Sequence, residues 1–332
     1  MRISIIVPVR DEENSIGVLL DGLLAQSLQP FEIVITDGGS TDTTASIIKE
    51  YIERGAPIQL VMSGRALPGR GRNLAAKQAV GEWLAFIDAG VRPDERWLEN
   101  LSAPAINQAE VAVVYGSYEP ITNTLFKECA AIAYVPAPIE SGDRYIRPRS
   151  IVSALMRRSV WESAGGFPED LRSSEDLLFM NKVEAGHHRI AYAPDAVVHW
   201  NVQPTLWRTL KRFITYARNN MRAGLWRDWQ AKIFKRYALL GLLVASAFAL
   251  GYSWFLIGLG LWLLMLTARG IVSIWRNRHA YPAGPIRNLR RLLILVPINA
   301  VLDAATFIGS FQWLIKDRLQ LAGRRSELNS DT

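Results

Sequence analysis

Cysteine is almost missing from this sequence: one residue, Cys129, in a chain of 332. A single thiol can close no intramolecular disulfide and make no cysteine-rich zinc site, and its scarcity fits a reducing compartment. Acidic residues are scarce in the last third. Residues 201–332 carry 5 acidic and 19 basic side chains, whereas residues 1–200 carry 26 acidic and 19 basic. The net charge of +7 therefore averages an acidic part and a strongly basic one. The basic part calls for an anionic partner, either nucleic acid or membrane lipid. Charge of any sign is nearly missing from Tyr237 to Trp275, where Arg269 is the one charged side chain in 39 residues. A secretory leader is lacking too. Met1-Arg2 runs directly into Ile3-Ser4-Ile5-Ile6-Val7, too short an apolar stretch for one, so the N-terminal domain is expected to stay in the cytoplasm.

The uncharged stretch is too long for one bilayer crossing of about 20 residues and adequate for two. We expect a helical hairpin within 237–275, as helices over 237–252 and 254–275 that reverse near Gly251, Tyr252 and Ser253. Arg269 lies close enough to the end of the second helix to snorkel to the headgroups. A basic loop, 276–291, follows with Arg276, Arg278, Arg287, Arg290 and Arg291, broken by Pro282, Gly284 and Pro285. A third apolar helix is expected over 292–315, with Asp303 near its centre, where it would pair with Arg269 or line an acceptor groove. Basic loops mark the cytoplasmic side, which places 276–291 with the N-terminal domain. Three spans would send the polar tail, 317–332, to the far side, yet Lys316, Arg318, Arg324 and Arg325 resist that placement. A re-entrant or interfacial third helix is the alternative. Buried core helices of a soluble protein are a poor reading of segments this long and this uncharged.

Residues 206–236 hold nine basic side chains against one acid, Asp228, with Trp207, Phe213, Tyr216, Trp226 and Trp229 interleaved. Segment 204–236 thus reads as basic amphipathic helices at the membrane–water interface, bound to anionic lipid headgroups. Nucleic acid would suit the same composition, but the apolar segments that follow directly favour lipid, and no nucleic-acid partner is expected.

The first 203 residues read differently. Short apolar runs at 3–9, 32–36, 58–62, 83–87 and 111–115 alternate with helical stretches at 15–26, 42–54 and 70–80. That alternation predicts an α/β domain, a mostly parallel sheet with helices on both faces. Ligands of such sheets sit outside the carboxyl ends of the strands. Three of those ends are loaded: Val7-Pro8-Val9-Arg10-Asp11-Glu12-Glu13, Asp37-Gly38-Gly39-Ser40-Thr41-Asp42 and Asp88-Ala89-Gly90. Asp42 is read as a helix cap. Between them, Gly69-Arg70-Gly71-Arg72-Asn73 opens a helix whose amides and guanidinium groups suit a diphosphate.

The order of these pieces resembles the GT-A-fold glycosyltransferases of family 2, inverting enzymes that use nucleotide-diphosphate sugars. The matching segments are VPVRDEE at 7–13, EIVITDGGSTDTT at 32–44, GRGRNLAAKQAVGEWLAFIDAG at 69–90, GGFPEDLRSSEDLLF at 165–179 and AGHHRIAYAPDAVVHW at 185–200. The resemblance implies a GT-A, Rossmann-like fold over 1–203 and a membrane domain over 237–316. It implies that Asp176 is the base that deprotonates the acceptor, with Glu175 beside it. It further implies that Asp37 bonds the nucleotide base, that Pro8, Val9 and Glu12 line the base pocket, and that Gly71, Arg72 and Asn73 lie by the diphosphate. Asp88, with Ala89, matches the start of the D-x-D motif near ribose and metal.

The third position of that motif is Gly90 rather than an acid. The expected divalent metal, Mn2+ or Mg2+, then loses one oxygen ligand, and Asp88 with His199 and the diphosphate would complete its shell. Alternatively, Arg70 and Arg72 neutralise the leaving group. His187 and His188 are assigned no role. The resemblance thus implies a membrane-bound inverting transferase acting from a UDP- or GDP-type sugar donor on a lipid-linked saccharide, glycolipid or polysaccharide. Two rivals are a polyprenyl-phosphate sugar transferase, which needs no alcohol-deprotonating base, and a decayed nucleotide-binding scaffold.

Overall fold

The computed structural model describes residues 1–141, 144–250 and 252–319. The reversal expected at Gly251 and most of the polar tail, with Arg324 and Arg325, lie outside them. The chain divides into two compact units, Met1–Ile121 with Pro138–Asn201, and Thr122–Ala137 with the chain from Val202 onward. Residues 122–137, expected within the first domain, therefore fold with the C-terminal helices.

In chain order, the first unit opens with β1 (Ile3–Val9), α1 (Ile16–Leu24), β2 (Glu32–Asp37), α2 (Thr44–Glu53), β3 (Ile58–Met62), α3 (Pro68–Gln78), β4 (Trp83–Phe86), β5 (Val91–Pro93), α4 (Trp97–Asn107) and β6 (Val111–Pro120). Helix α5 (Leu125–Tyr134) departs to the second unit. The first unit then resumes with β7 (Ile139–Ser141), β8 (Arg144–Ile146), β9 (Ala154–Arg157), α6 (Arg158–Ser163), α7 (Glu175–Ala185) and β10 (Arg189–Trp200).

Eight strands form one sheet in the order β3-β2-β1-β4-β9-β6-β10-β5. The β1–β2, β2–β3, β1–β4 and β6–β10 pairs are parallel. Three pairs are antiparallel: β4–β9, β6–β9 and β10–β5. The sheet is therefore mixed, because β9 enters in reverse between β4 and β6. Six of the seven β1 residues are buried, as a strand covered on both faces requires. Helix α1 buries Ile16, Leu19, Leu20 and Leu23, a helical stripe at i, i+3, i+4 and i+7. One apolar core joins Ile6, Val34, Phe86, Val113 and Met156, from both halves of the sheet, with Phe179 of α7.

The second unit contains α5, α8 (Leu206–Arg222), α9 (Trp226–Trp229), α10 (Ala231–Leu250), α11 (Tyr252–Arg276) and α12 (Pro285–Trp313), ending in a π-helical turn, Leu314–Leu319. Helices α10 and α12 begin earlier than the apolar segments expected at 237 and 292, and α12 takes in Arg287, Arg290 and Arg291 of the expected loop. Lysine and arginine are good helix formers, so charge marks the edge of the apolar zone without ending the helix. Among the described residues two segments are long and apolar enough to cross a membrane, Leu256–Arg276 and Pro285–Leu319. The expected Arg269–Asp303 pair forms, Nη1 to Oδ2 at 2.5 Å.

Candidate active site

The carboxyl ends of β1 and β2 are joined by their loops. Asp11 Oδ1 accepts from the Thr41 amide at 2.8 Å, and the Asp11 amide donates to Ser40 Oγ at 2.9 Å. Glu13 Oε2 accepts from Thr43 Oγ1 at 2.8 Å, and the Glu12 amide donates to Thr44 Oγ1 at 2.8 Å. Asp42 Oδ1 accepts from the Thr44 amide at 3.0 Å, one residue ahead of the cap position, which is Thr43 rather than the expected Asp42. This lattice fixes Asp37, the last residue of β2. Its Oδ1 accepts from the Ser40 amide at 3.0 Å and Ser40 Oγ at 2.7 Å. Its Oδ2 is buried without a partner among the described residues. A buried carboxylate oxygen left open is costly unless a donor arrives, and a nucleobase N–H is such a donor.

Helix α3 approaches β1 closely because its first turn carries glycine. A Cβ at Gly71 would lie 3.1 Å from Pro8 Cβ, and one at Gly69 would overlap the Pro168 carbonyl at 2.0 Å. The next residue, Arg72, is 4% exposed. Its guanidinium donates to Asp88 Oδ1 at 2.6 Å and to Glu175 Oε1 at 2.8 Å, over the face of the Phe167 ring. One buried cation thus joins the strand-end acid of β4 to the first residue of α7.

Glu175 and Asp176 stand in the first turn of α7, where the helix dipole favours negative charge. The preceding Ser174 holds a left-handed backbone, φ 73°, a strained conformation for a non-glycine residue. Burial pushes the Glu175 carboxyl well above the usual carboxylate range; Arg72 opposes the rise and the Asp176 charge adds to it. Burial likewise raises Asp176, again against Arg72. Two acids beside one guanidinium in a desolvated place hold protons that exposed acids would lose, which brings the Glu175–Asp176 pair toward the working range of a general base.

Asn73, expected near the diphosphate, spends its side chain on a neighbouring loop. Its Nδ2 donates to the Phe167 carbonyl and to Glu169 Oε1, both at 2.9 Å, and its Oδ1 accepts from the Phe167 amide at 2.9 Å. The side chain pins the 165–169 loop, and so fixes the Phe167 ring beneath Arg72. Nothing in the sequence alone distinguishes Phe167 and Glu169 within the 165–179 segment.

The comparisons with known proteins agree with this geometry. The description "Glycosyl transferase family 2" fits residues 4–160. Residues 4–160 thus carry a domain similar to glycosyltransferase family 2. The poly(ribitol-phosphate) beta-N-acetylglucosaminyltransferase of Staphylococcus aureus is 28% identical over 208 residues, covering 60% of this chain and 35% of that protein. The poly(ribitol-phosphate) beta-glucosyltransferase of Bacillus spizizenii is 36% identical over 211 residues, covering 59% of this chain and 31% of that protein. The chain therefore spans about a third of the length of these two relatives. A solved mannosyltransferase from Pyrobaculum calidifontis, in complex with GDP-Man and Mn2+, superimposes with a TM-score of 0.60 at 20% identity, over 95% of this chain and 88% of that one. That likeness establishes the GT-A fold.

The metal that such a family member would hold finds few ligands here. Asp88 has one oxygen on Arg72, and position 90 carries no side chain. A Cβ at Gly90 would sit 3.6 Å and 3.7 Å from the two oxygens of Glu12, so the Glu12 carboxylate stands where a second motif acid would reach. His199, on β10, has a different partner from the one expected: its Nε2 lies 2.7 Å from Asp94 Oδ1. Among the described residues no group of three His, Cys, Asp or Glu side chains could hold a metal ion. His199 is held by Asp94 and Asp88 by Arg72, so the expected Asp88–His199 shell would have to displace both partners, and among the described residues the side chains do not fit a resident metal. The structure does bring together Pro8 with Gly71, Glu12 with Gly90, and Arg72 with Asp88 and Glu175.

Proposed function

We propose that this protein transfers a sugar from a nucleotide-diphosphate donor, by direct displacement with inversion, to a hydroxyl on a membrane-presented acceptor. The observation that carries the reading is the Arg72 bridge. A single buried guanidinium lies against Asp88 on the donor side and Glu175 on the base side, so one residue orients both halves of the reaction. Asp37 receives the nucleobase through its open Oδ2, with Val9 opposite it in the sheet and Pro8 and Glu12 completing the proposed base pocket. Gly71 and the amides at the start of α3 lie toward the diphosphate, Ala89 toward the ribose, and Asp88 meets the ribose hydroxyls.

The step needs the acceptor oxygen to gain the anomeric carbon as the bond to the diphosphate breaks, with the hydroxyl proton passing to Asp176. A partly desolvated carboxylate with a raised pKa suits that proton transfer. Fixed positive charge at Arg72 and Arg70 balances the departing diphosphate. The donor is of UDP or GDP type, in keeping with the GDP-Man bound by the mannosyltransferase. The poly(ribitol-phosphate) acceptors named for the relatives, together with the basic second unit, favour an acceptor that carries phosphate, either lipid-linked or polymeric.

The test uses purified full-length protein reconstituted with a membrane lipid extract and a panel of radiolabelled UDP- and GDP-sugars. Label moving from one donor into the lipid or polymer fraction, lost in Asp176→Asn, supports the proposal. Transfer that Asp176→Asn leaves almost intact would favour a lipid phosphate as the acceptor. No transfer from any donor, with no nucleotide binding, would leave the scaffold reading.

A further inference from the structure

Helix α12 is long enough to cross a bilayer. Its 29 residues rise about 44 Å against a hydrocarbon core of about 30 Å. Both of its ends, however, are ion-paired to segments that cannot leave the side of the catalytic unit. At the N-terminal end, Arg291 Nε donates to Glu128 Oε1 at 2.6 Å, and Arg287 pairs with the other oxygen of Glu128. Glu128 lies on α5, which starts at Leu125, five residues after β6 ends at Pro120. At the C-terminal end, Arg218 makes two bonds to Asp317, Nε to Oδ2 at 2.8 Å and Nη2 to Oδ1 at 2.9 Å. Arg218 lies on α8, which starts at Leu206, six residues after β10 ends at Trp200. Neither connection is long enough to traverse hydrocarbon. Nor can α8 itself do so, with Arg208, Lys211, Arg212, Arg218 and Arg222 along its 17 residues.

We infer that α12 does not span: it lies along the leaflet facing the catalytic unit, flanked by α5 and α8, and returns its C-terminal end to that side. Three further observations agree. Cations stacked over tryptophans mark the rim of an interfacial surface, and they occur on α8 (Lys211 over Trp207, 4.9 Å), at the end of α11 (Arg278 over Trp275, 4.3 Å) and beyond the end of α12 (Arg318 over Trp313, 5.7 Å). A helix lying at the interface also explains the polar middle of α12. Asp303, with Tyr237 Oη donating to it at 3.0 Å and Arg269 beside it, would cost about 3 kcal/mol at a bilayer centre. Finally, α10 begins with Lys232, Lys235 and Arg236 before its uncharged part, so the first turns of this helix also suit the headgroups.

The occupant of this surface is one leaflet of anionic phospholipid. Leu242, Leu264 and Leu293, each more than 60% exposed, would face acyl chains, and the excess of 19 basic over 5 acidic side chains would face the headgroups. The arrangement removes the conflict over the basic tail, since Lys316 and Arg318 then remain where the positive-inside rule puts them. This inference rests on the membrane association proposed above.

The test is labelling of the full chain in sealed membrane vesicles of both orientations with a membrane-impermeant maleimide. Cys129, buried on α5, is replaced by serine, and single cysteines are introduced at exposed sites: Asn107→Cys in the catalytic unit, Ala280→Cys between α11 and α12, and Leu319→Cys past the end of α12. All three should label from the same side and none from the other. Leu319→Cys labelled from the side opposite Asn107→Cys overturns the inference, as does protection from both sides until detergent is added. Should Cys129→Ser fail to fold, protease access to a C-terminal tag on the wild-type chain reads the same two outcomes. No turnover is needed, so failure of the transferase reading leaves the result intact. Recovery of the chain in the soluble fraction would overturn the membrane reading and this inference together.

Discussion

Replacing Arg72 by methionine removes the one cation that holds Asp88 and Glu175 together while keeping much of its apolar bulk. Arg72 and Glu175 side chains are each 5% exposed, so this is a buried pair, and breaking one by removing a partner costs about 3–5 kcal/mol. The Asp88 arm adds little, because its side chain is 42% exposed and screened by water. The lower figure, about 3 kcal/mol, is therefore expected near pH 8, equivalent to about a hundredfold change in an equilibrium constant. The cost must depend on pH. Glu175 and Asp176 have folded-state pKa values raised above those of the unfolded chain. Their stabilisation is present below the unfolded value and is lost as pH rises through the folded one. Without Arg72 both rise further, so the deficit of Arg72→Met should shrink in acid and grow above neutrality, by about 1.4 kcal/mol for each unit of additional shift. Hydrogen exchange read by mass spectrometry on peptides from α3 and α7, corrected for intrinsic rates, measures this locally. Protection should fall about a hundredfold near pH 8 and clearly less near pH 6. An equal loss at both pH values, or none, would refute the argument.

Other substitutions separate the roles around this bridge. Asp176→Asn should keep nucleotide-sugar affinity while lowering the transfer rate by about 100- to 10,000-fold, read as kcat against Kd. With the raised pKa of Asp176, the acidic limb of the wild-type rate profile should lie above the usual carboxylate range, activity falling as pH drops through it. Gly90→Asp, which restores the family's second acid, would bring a carboxylate against that of Glu12, whose oxygens lie 3.6 Å and 3.7 Å from the new Cβ. It should destabilise the protein by about 1 kcal/mol in EDTA and recover that loss with Mn2+, as thermal unfolding in each condition would show. Asn73→Ala frees the 165–169 loop and should cost about 1–3 kcal/mol with increased exchange of the Phe167 amide, since that amide loses its acceptor.

The first unit was legible because its strands are short apolar runs ended by acids and glycines. β1, β2, β3 and β4 begin and end within a residue or two of the runs at 3–9, 32–36, 58–62 and 83–87. Strand β9 was not, because Ala154–Arg157 is four residues long and nothing in ALMR states that it enters in reverse between β4 and β6. Residues 122–137 read as part of the catalytic unit because they fall between its strands, while the Glu128 pairs that hold α5 to α12 join positions 159 and 163 residues apart. Chemistry followed the same division. Asp37, Asp88 and the Glu175-Asp176 pair could be chosen from strand-end position and resemblance. The partner of each could not, since Arg72 and Glu175 are 103 residues apart and His199 and Asp94 are 105 apart. Asn73 shows the limit most clearly: its identity matches a diphosphate neighbour, while its hydrogen bonds make it the anchor of the loop under Arg72.

The central claim is that the carboxyl edge of β1, β2 and β4 binds a nucleotide-diphosphate sugar through Asp37 and Asp88. Calorimetric titration of the full chain in lipid nanodiscs with UDP- and GDP-sugars, beside Asp37→Ala and Asp88→Ala, tests it directly. The account predicts saturable binding of one nucleotide class, weakened about tenfold or more when the open Oδ2 of Asp37 is removed and weakened again in Asp88→Ala. Binding of equal strength in all three proteins, or no binding of any donor by folded protein, would contradict it.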